Sequence, residues 1–391
     1  NPMVVNQLKA GAVLNYVVIG LNSLVGLLYT PYMLRMMGQS EYGLYSLVAS
    51  VIAYLTIMDF GFGNAIIRYT AKFRAEGRQQ EQYAMFGMFL ILYSVIGILA
   101  FGAGLGLYFN VEALFGDTMT VVEVERAKVL MIILIFNLAV TFPLSIFGAV
   151  VTAYEDFIFQ KVVQIVRILL NTVVMICLLK MGYRAVAMVV VQTLFNLVTL
   201  LLNYYYCRRK IGIRIVFGRF RWGFLREVTV YSFWIFLNAI MDRIYWGTGQ
   251  FVLGATVGTA AVAVFAVAIY LKDMYYSFST SISGVFLPKV TAMITTGASE
   301  QTVSDLFIRI GRIQYIVLAY VLSAFILLGR PFIALWAGEG YDETYVIALM
   351  FFASTLIPMI QNLGITILQA RNEMKYRSIL ILAVSAASLA A

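Results

Sequence analysis

The sequence predicts an all-α fold. It reads as a polytopic membrane protein of two six-helix bundles, related by a pseudo-two-fold axis along the membrane normal and cut short in its eleventh helix. Three observations predict this. The 391 residues are 62% hydrophobic and only 12% charged, where a soluble domain carries about a quarter charged residues. Apolar stretches longer than ~18 residues recur along the whole chain, each long enough for a membrane helix. Segments of the first half also return, in order and at nearly constant offset, in the second.

Taken in order, the complete spans run roughly Ala10–Leu34, Tyr42–Ile67, Tyr83–Phe109, Val129–Tyr154, Phe157–Leu179, Ala185–Tyr206, Tyr231–Val257, Val262–Leu287, Ile313–Trp336 and Tyr345–Gln369. An eleventh begins at Tyr376. The first apolar helix can itself direct insertion, so no cleavable signal is required. With the N-terminus inside, most of the 28 Lys and Arg residues fall on the cytoplasmic side. The outer loops, such as NVEALFGDTMTVVEVE, are short and acidic. This inside-positive bias sets the orientation, and it accounts for most of the net charge of +9 without any ligand. The largest hydrophilic connection is RRKIGIRIVFGRFRWGFLRE, Arg208–Glu227. It alternates basic and apolar residues, the pattern of an interfacial linker on anionic lipid. It separates an N-terminal lobe, 1–207, from a C-terminal lobe, 229–391, with 208–228 as the linker.

The duplication pairs GQSEYGLYSLV (Gly38–Val48) with GTAAVAVFAVA (Gly258–Ala268), RYTAKF (Arg68–Phe73) with KVTAMI (Lys289–Ile294), and TAYEDFIFQK (Thr152–Lys161) with QARNEMKYRS (Gln369–Ser378). Pro143 and Pro358 occupy corresponding helices. Six helices separate the copies, so both have the same orientation, and transporters built from such repeats bind near the midplane.

The chain has no histidine, which removes histidine bases, triads and metal sites together. Cys177 and Cys207 are too few and too far apart for a metal site or a disulfide framework. Polar residues instead form stripes at helical spacing. Gln160, Gln164, Arg167 and Asn171 share one face of the fifth span. Gln192, Asn196, Thr199 and Asn203 share a face of the sixth, and Asn137, Thr141, Ser145 and Thr152 one of the fourth. The eighth carries YYSFSTSIS, including Ser279. A single Ser or Thr in a span is explained by helix–helix hydrogen bonding. Several striped helices imply an inward-facing wet cavity, because a polar face toward lipid is costly. Candidate lining residues are Gln164, Asn171, Gln192, Asn196, Asn238 and Ser279.

Six charges lie deep in spans: Asp59, Arg167, Asp242, Arg243, Lys272 and Asp273. Each costs at least ~2.5 kcal/mol on insertion scales, so each is paired or functional. Adjacent helical residues diverge, which points to cross-pairs of Asp242 with Lys272 and Arg243 with Asp273 between the seventh and eighth spans. Arg167 has no acidic neighbour in its own span and is the best candidate to meet an anion, since a guanidinium grips phosphate oxygens with two hydrogen bonds at once. Asp59 precedes GFG in MDFGFGN, where glycines weaken the helix and suit a bend that moves. It is a candidate ion carrier, with pairing to Arg68 or Lys72 as the simpler role.

LLYTPYMLRMMGQSEYGLYSLVASVIAYLTIMDFGFGNAIIRYTAKFRAEG resembles the first two helices of polysaccharide repeat-unit flippases, the O-antigen (Wzx-type) transporters of the multidrug/oligosaccharidyl-lipid/polysaccharide exporter superfamily. YSFWIFLNAIMDRIYWGTGQFVLGATVGT and SFSTSISGVFLPKVT resemble their seventh and eighth. The resemblance implies a V-shaped pair of six-helix lobes whose first, second, seventh and eighth helices line a central cavity. It implies translocation of an undecaprenyl-pyrophosphate-linked oligosaccharide across a bacterial cytoplasmic (inner) membrane, with Arg167, Arg243 and Lys272 toward the anionic head and Asp59, Asp242 and Asp273 in ion coupling or charge pairs. It implies membrane lipids and the polymerase and chain-length proteins of the same pathway as partners, no cofactor, no metal and no nucleic acid. Relatives have twelve to fourteen spans and often an acidic residue where Gly249 stands, two departures here. A drug/cation antiporter of the same superfamily is the nearest alternative, but it would want an acidic, aromatic cavity. A membrane-bound polymerase or transferase would bring a large outer loop or a catalytic histidine.

Overall fold

The computed structural model describes residues 2–218, 221–371 and 374–390. Arg219, counted above in the basic linker, lies outside the described residues. Helices make up all the regular structure among them: α1 (Pro2–Met37), α2 (Gln39–Leu55), α3 (Phe62–Ala75), α4 (Gln79–Phe109), α5 (Val111–Phe115), α6 (Val121–Ala153), α7 (Phe157–Lys180), α8 (Ala185–Tyr206), α9 (Trp222–Thr256), α10 (Thr259–Thr295), α11 (Glu300–Trp336), α12 (Glu343–Ile360), α13 (Asn362–Ala370) and α14 (Met374–Ala390). By length and apolarity 9 of the described helical stretches can cross a membrane, or 10 when the bent α9 is taken as one span. They follow the ten spans read from the sequence in order. The chain is an all-α, multi-pass membrane protein.

Two expected spans are not continuous helices. The second divides into α2 and α3 around a turn of 3-10 helix, Thr56–Asp59, after which Phe60 and Gly61 take left-handed conformations at φ 53° and 73°. The left-handed region is open to glycine and strained for a bulky residue such as Phe60. The tenth breaks at Gln361, shortly after Pro358, between α12 and α13.

The chain divides into two compact units, Asn1–Thr259 and Ala260–Ala391. The core of the first lies among α3, α4 and α6, with Phe62, Ile66, Tyr69, Phe73, Phe86, Phe89, Tyr93, Phe142 and Phe147 buried together. Small residues let these helices approach: a Cβ at Gly97 would stand 2.6 Å from the Ala139 carbonyl oxygen. Helix ends are tied by named side chains. Thr120 and Glu123 form a capping box at the start of α6, and Glu123 also accepts from Ser40 Oγ at 2.9 Å. Glu41, only 5% exposed, pairs with Arg126 and accepts from the Ala185 amide at the start of α8.

The basic linker follows its period-two alternation. Beyond a turn of π-helix, Cys207–Ile211, the chain is irregular to 218. Ile213 is buried, with Ile211 and Ile215 packed on the same core, while Arg208, Arg209, Lys210 and Arg214 are exposed. The Val216 amide donates to the Tyr83 carbonyl at 3.3 Å. The expectation of apolar residues resting on lipid is corrected for these isoleucines. They rest on the protein's own core, because the segment packs along the first turns of α4.

Candidate functional site

Within the unit Asn1–Thr259, α1, α2, α6, α7 and α8 surround a cavity of about 640 Å³, within the ~300–1,000 Å³ range of ligand pockets. Its polar wall is built from the stripes read in the sequence. Gln164, Arg167 and Asn171 project from α7, Gln192 and Asn196 from α8, and Asn137 and Thr141 from α6. Asn22 of α1 and Thr56 at the end of α2 complete it, with Ala49, Ile52, Leu134, Leu138 and Ile168 as apolar patches.

Several of these groups are already positioned. Asn196 Nδ2 donates to Asn137 Oδ1 at 2.7 Å and to Thr141 Oγ1 at 2.8 Å. Tyr45 Oη donates to Gln192 Oε1 at 3.3 Å. Lys161 Nζ donates to Asn15 Oδ1 at 2.8 Å and reaches Gln164 Oε1 at 3.5 Å, leaving the Gln164 amide nitrogen to donate elsewhere. Asn171 Oδ1 is buried and has no hydrogen-bond partner among the described residues. Arg167 is the one charged residue on the described wall, and no described carboxylate forms an ion pair with it. A guanidinium in a membrane-embedded cavity is costly unless it is solvated or paired.

The other expected residues do not line this cavity. Asp59 lies at the break between α2 and α3, where its Oδ1 accepts from Tyr93 Oη at 2.6 Å. Arg68, its expected simpler partner, instead stacks over the Tyr231 ring at 4.1 Å. Asn238, Asp242 and Arg243 stand on α9. Lys272, Asp273 and Ser279 stand on α10, in the second unit. Lys272 Nζ lies 2.8 Å from Asp273 Oδ1. The four-carbon stem of Lys272 lets its ammonium reach the adjacent carboxylate although neighbouring helical residues diverge. Ser279, expected on a cavity wall, is 0% exposed. Its hydroxyl donates to the Met359 carbonyl at 2.7 Å, a group left over by the break in the tenth span. Asn22, Thr56 and Tyr93 carry no mark in the sequence. The first two are isolated polar residues without a stripe, and Tyr93 looks like any packing aromatic.

The model of the family described as polysaccharide biosynthesis protein matches residues 8–294. The chain belongs to this polysaccharide biosynthesis family. The "Uncharacterized membrane protein EpsK" of Bacillus subtilis is 19% identical over 319 residues, taking in 80% of this chain and 62% of that protein. This member of the polysaccharide biosynthesis family thus spans less than two thirds of that relative's length. Its fold is that of solved MOP transporters. The inward-facing conformation of a multidrug resistance MATE family transporter aligns with a TM-score of 0.66 at 16% identity, covering 92% of this chain and 87% of that one. The MATE multidrug transporter DinF-BH aligns with a TM-score of 0.67 at 15% identity, covering 97% and 85%.

Proposed function

We propose that this protein moves an undecaprenyl-pyrophosphate-linked oligosaccharide from the inner to the outer leaflet of a bacterial cytoplasmic membrane, with its N-terminus in the cytoplasm and an ion gradient as driving force. The observation that carries this reading is the composition of the cavity wall. Carboxamides and hydroxyls donate to and accept from sugar hydroxyls, apolar patches suit ring faces, and Arg167 suits a phosphate or a carboxylate. In this reading Arg243 and Lys272 supply further cations toward the pyrophosphate, and Asn238 supplies a polar group. Asp242 and Asp273 balance those cations, and Asp59 carries the coupling ion. The polymerase and chain-length proteins of the same pathway take up the flipped product. Alternating access moves the head group across while the lipid stays in the bilayer.

A drug/cation antiporter is the competing reading, favoured by the fold of the solved MATE transporters. An organic cation, however, would meet a guanidinium in this cavity and no described carboxylate on its wall. The deciding experiment is reconstitution in proteoliposomes with a fluorescent lipid-linked oligosaccharide, following its accessibility in each leaflet over time. The flippase reading expects transport that Arg167→Ala abolishes at normal expression. Gradient-driven efflux of a cationic dye with no lipid flipping would replace it with the antiporter.

A further inference from the structure

The unit Ala260–Ala391 carries a second concavity, independent of the cavity just described. A groove of about 540 Å³ runs along α11, lined by Ile308, Gly311, Arg312, Tyr315 and Ile316, with Ile360 of α12 on its far side. The α11 positions recur every three or four residues, so they share one face. Ile308, Tyr315 and Ile316 are exposed. On a membrane-spanning helix, that face looks into lipid.

The groove is built in. It exists because the tenth span breaks at Gln361, and the break is fixed from behind by a neutral polar network. Ser279 Oγ donates to the Met359 carbonyl at 2.7 Å, Gln314 Nε2 donates to the Ser279 carbonyl at 3.2 Å, and Asn362 Nδ2 donates to Ser283 Oγ at 2.9 Å. Its floor is Phe307, packed against the buried cluster of Val290, Ile310 and Leu363. Gly311 leaves it open: a Cβ there would meet Ile360 only at 3.6 Å, an ordinary contact, so the space belongs to the groove.

Its charge says what fills it. Arg312 is exposed at the rim, directly before the apolar run that begins at Ile313, and Arg309 is exposed one turn earlier. Cations at the end of an apolar membrane groove match a molecule with an anionic head and a hydrocarbon tail. We propose that this groove binds one anionic phospholipid, its phosphate on Arg312 and one acyl chain from Gly311 along Tyr315 and Ile316, against Ile360. The bound lipid fills the space beside the broken helix and so supports the break at Gln361.

The test is native mass spectrometry of the purified protein titrated with dioleoyl phosphatidylglycerol and, separately, dioleoyl phosphatidylcholine. The expected result is one tightly retained phosphatidylglycerol. Its affinity should fall about fivefold in Arg312→Gln, the loss expected when one arginine leaves an anionic headgroup. Gly311→Leu, which fills the groove without straining the helix, should abolish retention. Arg330→Gln, at the opposite end of α11, should bind like the parent. Equal retention of the two lipids, or unchanged retention in both Arg312→Gln and Gly311→Leu, overturns the proposal. Displacement of the phosphatidylglycerol by stoichiometric undecaprenyl phosphate also overturns it, by assigning the groove to a polyprenyl chain. None of these readings depends on transport, so the proposal stands or falls separately from the proposed substrate.

Discussion

Arg167 offers the sharpest test, because a functional and a structural role predict opposite signs for stability. The perturbation is Arg167→Met, which keeps much of the side chain's length and removes its charge. A charge deep in a span costs about 2.5–3.5 kcal/mol on insertion scales. Arg167 is half-buried and its cavity is polar, so solvation returns much of that cost and about 1–2 kcal/mol remains. No described carboxylate pairs with it to offset this remainder. Arg167→Met is therefore expected to melt a few degrees higher than the parent in detergent, followed by intrinsic tryptophan fluorescence. The same change should weaken an anionic ligand by about 1.5–3 kcal/mol, the worth of a hydrogen bond to a charged group, or roughly ten- to a hundredfold in affinity. Arg167→Lys keeps the charge and loses the planar fork, so it should fall between the two. A lower melting temperature for Arg167→Met would make Arg167 a structural partner and refute the reasoning, whatever happened to transport.

Three further outcomes follow from particular contacts. A Cβ at Gly87 would overlap the Val216 carbonyl oxygen. Gly87→Ala should lift the linker off α4 at a cost of about 1–3 kcal/mol, read as faster tryptic cleavage between Arg208 and Arg214; unchanged cleavage would mean that the linker is not held there. Asp59→Asn should weaken the response of transport to an imposed proton or sodium gradient more than it weakens substrate binding, and Tyr93→Phe should do so in part. Full gradient-sensitive uptake by the Asp59→Asn variant would end the coupling role. Phe217→Cys, in a background lacking Cys177 and Cys207, should react with an impermeant thiol reagent only from the cytoplasmic side; labelling in intact cells would invert the orientation.

The spans were legible because membrane helices announce themselves by long apolar runs between polar loops. Their interruptions were legible only in part. Gly61 and Gly63 marked a weak point, but nothing in MDFGFGN shows that Phe60 itself turns left-handed. Within each helix, steps of three and four residues correctly grouped Gln164 with Arg167 and Asn171, and Gln192 with Asn196. Which stripes meet is a property of packing, and a stripe does not carry its partner's address. Asn22 and Thr56 reach the same wall as single polar residues with no period to mark them. Ser279 failed for the converse reason. It sits in a conspicuous polar run, yet its partner is a carbonyl on another helix, freed by a break that local sequence at Ser279 cannot reveal.

The two broken spans also differ in chemistry, and the difference bears on energy coupling. In the tenth span the break at Gln361 is secured by Ser279, Ser283, Gln314 and Asn362, all neutral hydroxyls and amides. None of these groups changes charge near neutral pH, so a proton or sodium gradient has no direct hold on them. In the second span the break at Phe60 and Gly61 is secured beside a carboxylate, Asp59, bonded to the fully buried Tyr93. A Cβ at Gly61 would come within 3.1 Å of the Ser232 carbonyl of α9, so the broken segment touches the seventh span directly. An ion can bias two conformations only by as much as it binds them differently. Asp59 is the charged group that the described residues place at a break. Loading or emptying it changes a hydrogen bond to the rigid core of α3, α4 and α6 at the point where the backbone already carries a left-handed phenylalanine. That is why the coupling proposal rests on Asp59 and leaves the tenth span to the lipid.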